Sequence, residues 1–241
     1  MELLGLKGKA DISGVVVATG TAGVLAEVRS NPNALAYESL GYVTTDVKML
    51  KVDGVEATVA NIKNGTYKIS RPLQVVYQPA KGEEALNAAY LQFLASKQAQ
   101  DIISEEGYVS MIDNASSYVP DPALEGTINI SGSTSLQPLM LKLAEKYKEL
   151  QSKVTVTVSG GGSGTGYKDA KEGVSDFGMI SEEFNDEKAP GCSHYTVAKD
   201  GIAVIVHKDN GVSNISLETL KNIYDCEAGE SAVKTWAEVE K

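Results

Sequence analysis

Two stretches of this 241-residue chain set small hydroxyl residues where a helix is expected to begin. In "ISGSTSLQP" (130–138) they are Ser133, Thr134 and Ser135. In "SGGGSGTGYKD" (159–169) they are Ser163 and Thr165, on either side of Gly164. Each stretch reads as strand, small polar turn, helix. The first amides of a helix lack an intrahelical acceptor, and the helix dipole puts its positive end there. Small residues let an anion approach the backbone, and hydroxyls add donors, so the combination suits a phosphate-like oxyanion. Either stretch alone reads more plainly as capping hydroxyls and a tight glycine turn, because Ser and Thr are common N-caps. Two such turns on successive strand–helix units point to a ligand, since open α/β sheets bind ligands at such strand ends.

Other chemistries have less to stand on. A P-loop needs Gly-Lys-Ser/Thr, but Gly166 is followed by Tyr167 and Lys168. No window of 159–169 fits G-x-G-x-x-G, so a dinucleotide fingerprint fails too. No Ser-His-acid arrangement stands at informative spacing. Cys192, Cys226, His194 and His207 form no metal-ligand pattern, so neither a metal nor a cofactor is expected. The Glu182–Glu183 pair sits in "SEEFNDEK", which reads as a solvated charged turn.

The elements that must carry the two turns follow from periodicity. The chain is 42% hydrophobic and 22% charged, ordinary for a globular protein and enough to bury a core without staples. Strands are expected at 13–18 (a compact apolar run), 34–40, 47–54 with a turn, 72–78, 127–131, 153–159, 175–181 and 201–207. Helices are expected at 21–30, 58–65, 82–107 with a break near Ser96, 136–150, after the glycine turn at 160–166, and 216–225 with Ser216 as N-cap. The polar stretch 112–126, with two prolines, reads as a linker or surface crossing. The alternation predicts an α/β fold with mainly parallel strands and helices on both faces. A net charge of −10 argues against nucleic acid and anionic membranes as partners, while leaving room for a small anion in a local nest of donors. No apolar run is long enough to span a membrane as a helix, and "MELLGLKGKA" lacks the pattern of a signal peptide. The expectation is a cytosolic chain or a mature one whose export signal is gone.

Around these turns the sequence resembles the phosphate-binding proteins of bacterial ABC phosphate importers, the PstS-type family. The runs that carry the likeness are "ISGSTSLQPLMLKLAEKY", "VSGGGSGTGYKDAKEGVSDFGMIS", "KDGIAVIVHKDNGVSNISLETLKNIY" and "TWAEV". To these the first half adds "GVVVATGTAGVLAEVRSNPNALAYESLGYV", "LKVDGVEATVANIKNGTYKISRPL" and "ASKQAQDIISEEGYV". In the family the "ISGSTS" segment opens the protein and "EEGYV" closes it; here the closing half comes first. The resemblance therefore implies a two-lobed periplasmic-binding-protein-like (type II) α/β fold in circularly permuted order, joined through 112–126. A permuted gene or a segment of tandem copies would each give this order. Lobe one would be continuous, 71–207. Lobe two would be assembled from 1–70 and 208–241, and would be incomplete. Ligand would bind in the cleft between lobes that close on a hinge.

Carried over by position, the resemblance implies anion ligands at Thr134 and Ser135, at Ser163, and at Ser181 after "DFGMI". One family branch has aspartate at the last position and another serine, so the choice between phosphate and sulfate stays open. It further implies a non-enzymatic solute-binding protein for phosphate or a sulfate-like oxyanion, at the cell surface or in the periplasm, delivering to the membrane permease of an ABC importer. Alternative readings are an interaction or scaffold module that has lost high-affinity binding, and a phosphatase built on the cleft. The family's third binding segment, an arginine followed by Ser-Gly-Thr, would fall between "TWAEVEK" and "MELLGL" and is not in the chain. The two arginines, Arg29 and Arg71, lie in no such motif, and Arg71 in "ISRPL" matches a family hinge strand. A neighbouring tandem copy or partner chain would have to complete the site.

Charge-assisted hydrogen bonds contribute roughly 1.5–3 kcal/mol each. Affinity changes about tenfold per 1.4 kcal/mol. Losing an arginine fork and its neighbours therefore costs orders of magnitude. Isothermal titration of this chain alone with phosphate and with sulfate is expected to give weak or absent binding. Submicromolar binding would show that the chain holds more ligand groups than the resemblance implies.

Overall fold

The computed structural model of the protein describes residues 4–6, 8–18 and 20–239. The reading of the first ten residues falls partly outside them. The chain forms two compact units, one continuous (Arg71–Asp200) and one discontinuous (Met1–Ser70 with Gly201–Lys241). It passes from one to the other after Ser70 and again after Asp200.

The discontinuous unit begins with α1 (Gly20–Ser30), β1 (Leu35–Ser39), β2 (Val47–Met49), β3 (Lys51–Val52) and α2 (Val59–Lys63). Thr58 caps α2 by accepting the Asn61 amide, and the chain turns out of the helix at Gly65 with φ 76°. The continuous unit holds β4 (Ser70–Tyr77, its first residue being the last of the other unit), α3 (Pro79–Glu83), α4 (Ala85–Leu94) and α5 (Lys97–Glu105). After these come β5 (Gly126–Gly132), α6 (Gln137–Leu150), β6 (Val154–Gly160), α7 (Ser163–Glu172) and β7 (Phe177–Ile180). Strand β8 (Ser193–His207) runs through the second crossing, and β9 (Asn214–Ile215), α8 (Leu217–Tyr224) and α9 (Trp236–Val239) complete the discontinuous unit. Ser216 caps α8, accepting the Thr219 amide.

Within the continuous unit the strands lie in the order β8-β4-β7-β5-β6. Strand β5 is parallel to both β6 and β7, while β4 runs antiparallel to β7. In the discontinuous unit β1 and β2 both pair antiparallel with the last residues of β8. The sheet is therefore mixed, which corrects the expectation of mainly parallel strands. Apolar runs mark buried strands without encoding direction; within this sheet β5, β6 and β7 are tied by helical crossovers that make them parallel, and the separate β3–β9 pair is parallel too.

The expected strand at 13–18 is also corrected. These residues are irregular, and Val15, Val16 and Val17 are 39, 67 and 81% exposed. An apolar run becomes a buried strand only where a neighbour completes its ladder, and no described strand pairs with it.

The core of the continuous unit gathers Tyr90 and Phe93 from α4, Tyr147 from α6 and Phe177 from β7, with ring centroids 4.9 to 5.9 Å apart. Segment 112–126 is irregular, as expected, yet it is fastened to this core. Tyr118 is 8% exposed, its ring packs edge-on to Phe93, and its hydroxyl accepts from Gln151 Nε2 at 3.0 Å. Upstream, Gln100 Oε1 accepts the amides of Met111 and Ile112, and the Gln98 carboxamide bonds the Tyr118 backbone on both its faces. An aromatic truncation in such a core costs about 3–5 kcal/mol. Tyr118→Ala is expected to lower unfolding stability by about 3 kcal/mol in urea; a loss under about 1 kcal/mol would mean the segment only drapes over the surface.

Candidate functional site

Three neighbouring strands, β6, β5 and β7, point the same way and stop at nearly the same level. Gly132 pairs with Gly160 on one side and with Met179 on the other. Every residue singled out for anion binding follows one of these strand ends: Ser133, Thr134 and Ser135 after β5, Ser163, Gly164 and Thr165 after β6, and Ser181 after β7. All lie within the continuous unit.

The turns are stitched together by backbone. Ser133 N–H donates to the Met179 carbonyl at 2.8 Å, and Gly162 N–H donates to the Gly132 carbonyl at 2.9 Å. Ser163 Oγ accepts the Ser181 amide at 3.1 Å and lies 3.4 Å from Ser181 Oγ, so these two hydroxyls share one spot. Thr134 leans toward the end of β6, with its methyl group 3.3 Å from where a side chain on Gly160 would start.

The hydroxyls do less capping than their types suggest. Helix α7 has Gly162 at its N-cap and α6 has Leu136, and neither offers a side-chain cap. Ser133 is the exception: buried, it accepts the Leu136 amide at 3.3 Å, closing a turn that delays α6 until Gln137. Thr165 Oγ1 turns back to donate to the Gly161 carbonyl at 2.8 Å, so it braces the loop. Intrahelical bonding starts at the Gly166 amide in α7 and at the Gln137 amide in α6. Among the described residues the amides of Thr134, Ser135, Ser163, Gly164 and Thr165 have no protein acceptor. Five uncovered N–H groups at two helix starts are donors of the kind that can form a nest for an anion.

What brings α7 so near is a set of glycines whose role the sequence reading missed. A methyl group on Gly178 would collide with the Gly166 carbonyl oxygen, and one on Gly166 with the Met179 carbonyl oxygen. Helix α7 thus lies backbone to backbone on β7, which only glycine permits. The same reading missed Ser131. Its hydroxyl donates to Asp169 of α7 at 2.6 Å and touches Ser175 Oγ at 2.7 Å, pinning the helix to β5 below the nest. Its signal was a serine inside a strand with an aspartate two helical turns along.

Both arginines are engaged by carboxylates away from these turns. Arg29 pairs with Asp46 and Arg71 with Asp200. Lys188 pairs with Glu182 and lies 5.0 Å above the Tyr167 ring, and Tyr167 Oη donates to the Glu183 carbonyl. The Glu182–Glu183 pair thus belongs to a turn that holds Tyr167. No group of three or more His, Cys, Asp or Glu is placed to hold a metal among the described residues. Cys192 and Cys226 are free, and burial raises the Cys192 thiol above its ordinary range, which keeps it protonated at neutral pH. No described helix is long and apolar enough to cross a membrane.

A family model described as a PBP superfamily domain matches residues 119–240. The phosphate-binding protein PstS 2 of Streptococcus agalactiae is 38% identical over 209 residues, 86% of this chain and 70% of that one. Its namesake in Streptococcus pneumoniae is 35% identical over 87% of this chain and 71% of its own. This chain belongs to the PstS-type phosphate-binding protein family. A crystal structure of a phosphate-binding protein of a phosphate ABC transporter from Streptococcus pneumoniae superposes with a TM-score of 0.87 at 32% identity. That match covers 99% of this chain and 92% of the other. The PstS-type relatives are named for binding, and an enzymatic role is no part of those names.

For this PstS-type chain the glycine contact is testable by itself. Overpacking a well-filled core costs about 1–3 kcal/mol, and backbone cannot yield as a side chain does. Gly178→Ala is expected to lose at least about 2 kcal/mol of stability in chemical denaturation. An unchanged midpoint would mean α7 is not held against β7 as described.

Proposed function

We propose that this chain is a solute-binding protein whose ligand is phosphate or a similar tetrahedral oxyanion, and whose partner is the membrane permease of an ABC importer. The observation that carries the reading is the nest of five uncovered amides, with the Thr134, Ser135, Ser163 and Ser181 hydroxyls, at the ends of three parallel strands. Such donors replace part of an oxyanion's hydration shell, and several of them together suit charge spread over several oxygens. The names of the relatives support the choice of phosphate. In this reading the two compact units are the two lobes of the family fold, taken in permuted order, and the protein works on the outer side of the membrane. A neighbouring copy or partner chain supplies cationic donors, because a dianion leaves water only when its charge is met.

The test is ligand-linked stabilisation, which scales with ligand concentration over Kd. Millimolar phosphate is expected to raise the Tm of the parent chain, and Ser163→Ala or Ser181→Ala is expected to abolish most of that rise. A remote control, Ser152→Ala, is expected to keep it. An equal rise in all four proteins, or a rise lost in Ser152→Ala as fully as in the site variants, contradicts the assignment.

A further inference from the structure

The first and last residues of the continuous unit are paired with each other. Arg71 Nε and Nη2 both donate to Asp200 Oδ2, at 3.1 and 2.9 Å. The Asp200 side chain is 2% exposed and that of Arg71 27%. One residue earlier than Arg71, and one later than Asp200, the chain belongs to the other unit. We propose that this ion pair is a terminal clasp: it locks β4 to β8 where both strands leave the unit, so that the chain bends outside 71–200 and the strands behind the nest stay paired.

Three observations converge on it. The guanidinium fork fixes direction as well as distance, which a lysine in its place would not do. Further along the same two strands Gln74 Nε2 donates to Thr196 Oγ1 at 2.9 Å, a second side-chain tie between β4 and β8. Next to Asp200, Lys199 exchanges both backbone hydrogen bonds with Val109, at 2.9 and 3.1 Å, tying the segment that follows α5 to β8. The end of β8 in this unit is thus held by the clasp to β4 and by Val109. The benefit to the nest is direct: β4 pairs with β7 through Gln74 and Ile180, and Ser181 is the next residue. Fraying of β4 from its start would loosen the strand that presents Ser181.

The clasp involves only Arg71 and Asp200 and no group of the nest, so its test needs no anion and is independent of the oxyanion assignment. Native-state hydrogen exchange is measured on the parent, on Arg71→Met/Asp200→Asn (which removes both charges together) and on Arg71→Lys (which keeps the charge and loses the fork). In the double variant, amides of 73–77 and 194–200 are expected to exchange about tenfold faster or more, while those of β5 and β6 keep the parent's rates. Arg71→Lys is expected to lie between, and it serves as the readout if the double variant does not fold. Unchanged rates in β4 and β8, or the same acceleration in every strand, overturn the clasp.

Discussion

The backbone contact between α7 and β7 is the constraint on which the candidate site depends. Gly166 and Gly178 let the helix lie against the strand with no side chain between them. That closeness sets Ser163, at the first turn of α7, where its hydroxyl meets the Ser181 amide. It also brings Gly162 to the Gly132 carbonyl, so that the start of α7 lies beside the end of β5. A larger residue at either glycine would move the helix outward and draw Ser163 away from the Ser181 amide. Ser131 and Asp169 support the same contact from below, with a hydrogen bond that is part-buried.

The nest that results has an unbalanced composition. The donors identified in it are neutral: amides and hydroxyls. Amides and hydroxyls can replace much of an anion's hydration shell, yet full neutralisation of a dianion inside a protein calls for charged donors. The chain's arginines are committed elsewhere, Arg29 to Asp46 and Arg71 to Asp200. Geometry and charge therefore divide the work: this chain supplies shape and oriented dipoles, and the strongest countercharge comes from outside it in the function proposed. An acidic chain of net charge −10 makes that division more consequential, because its own long-range field does not attract anions.

Much of the fold was legible because its elements are strongly periodic. The alternation in "KVTVTVS" marks β6, with threonines on the exposed face, and the spacing of Leu139, Met140, Leu143 and Tyr147 marks the buried stripe of α6. Ser96 was readable as a break, and it caps α5. Strand direction was not legible, since Gln74 in β4 and Met179 in β7 look alike locally whichever way their strands run. The run at Val15–Val17 misled because apolar composition says nothing of whether a partner strand exists. In the candidate site, residue types and positions were readable from the two hydroxyl turns. Which hydroxyls face ligand and which brace the loop was not: Thr165 and Ser133 bond back to their own turns, a matter of rotamer and register. The glycines at 166 and 178 were visible as letters, but their collision partner comes from another element. Tyr118 lay hidden in a stretch whose prolines and polar residues suggested a tether, although a lone aromatic among them is the kind of residue a core recruits.

The central claim is that the uncovered amides of Thr134, Ser135, Ser163, Gly164 and Thr165 converge on one oxyanion. The direct measurement is amide chemical shift in a phosphate titration of the isotopically labelled chain, followed at those five residues and at Ser181. The account predicts that these amides move together along a single binding curve, with their protons shifting downfield as they gain an anionic acceptor, while α4 and α5 stay still. Phosphate-dependent shifts that spare these residues and appear elsewhere, or six residues that follow unrelated curves, would contradict it.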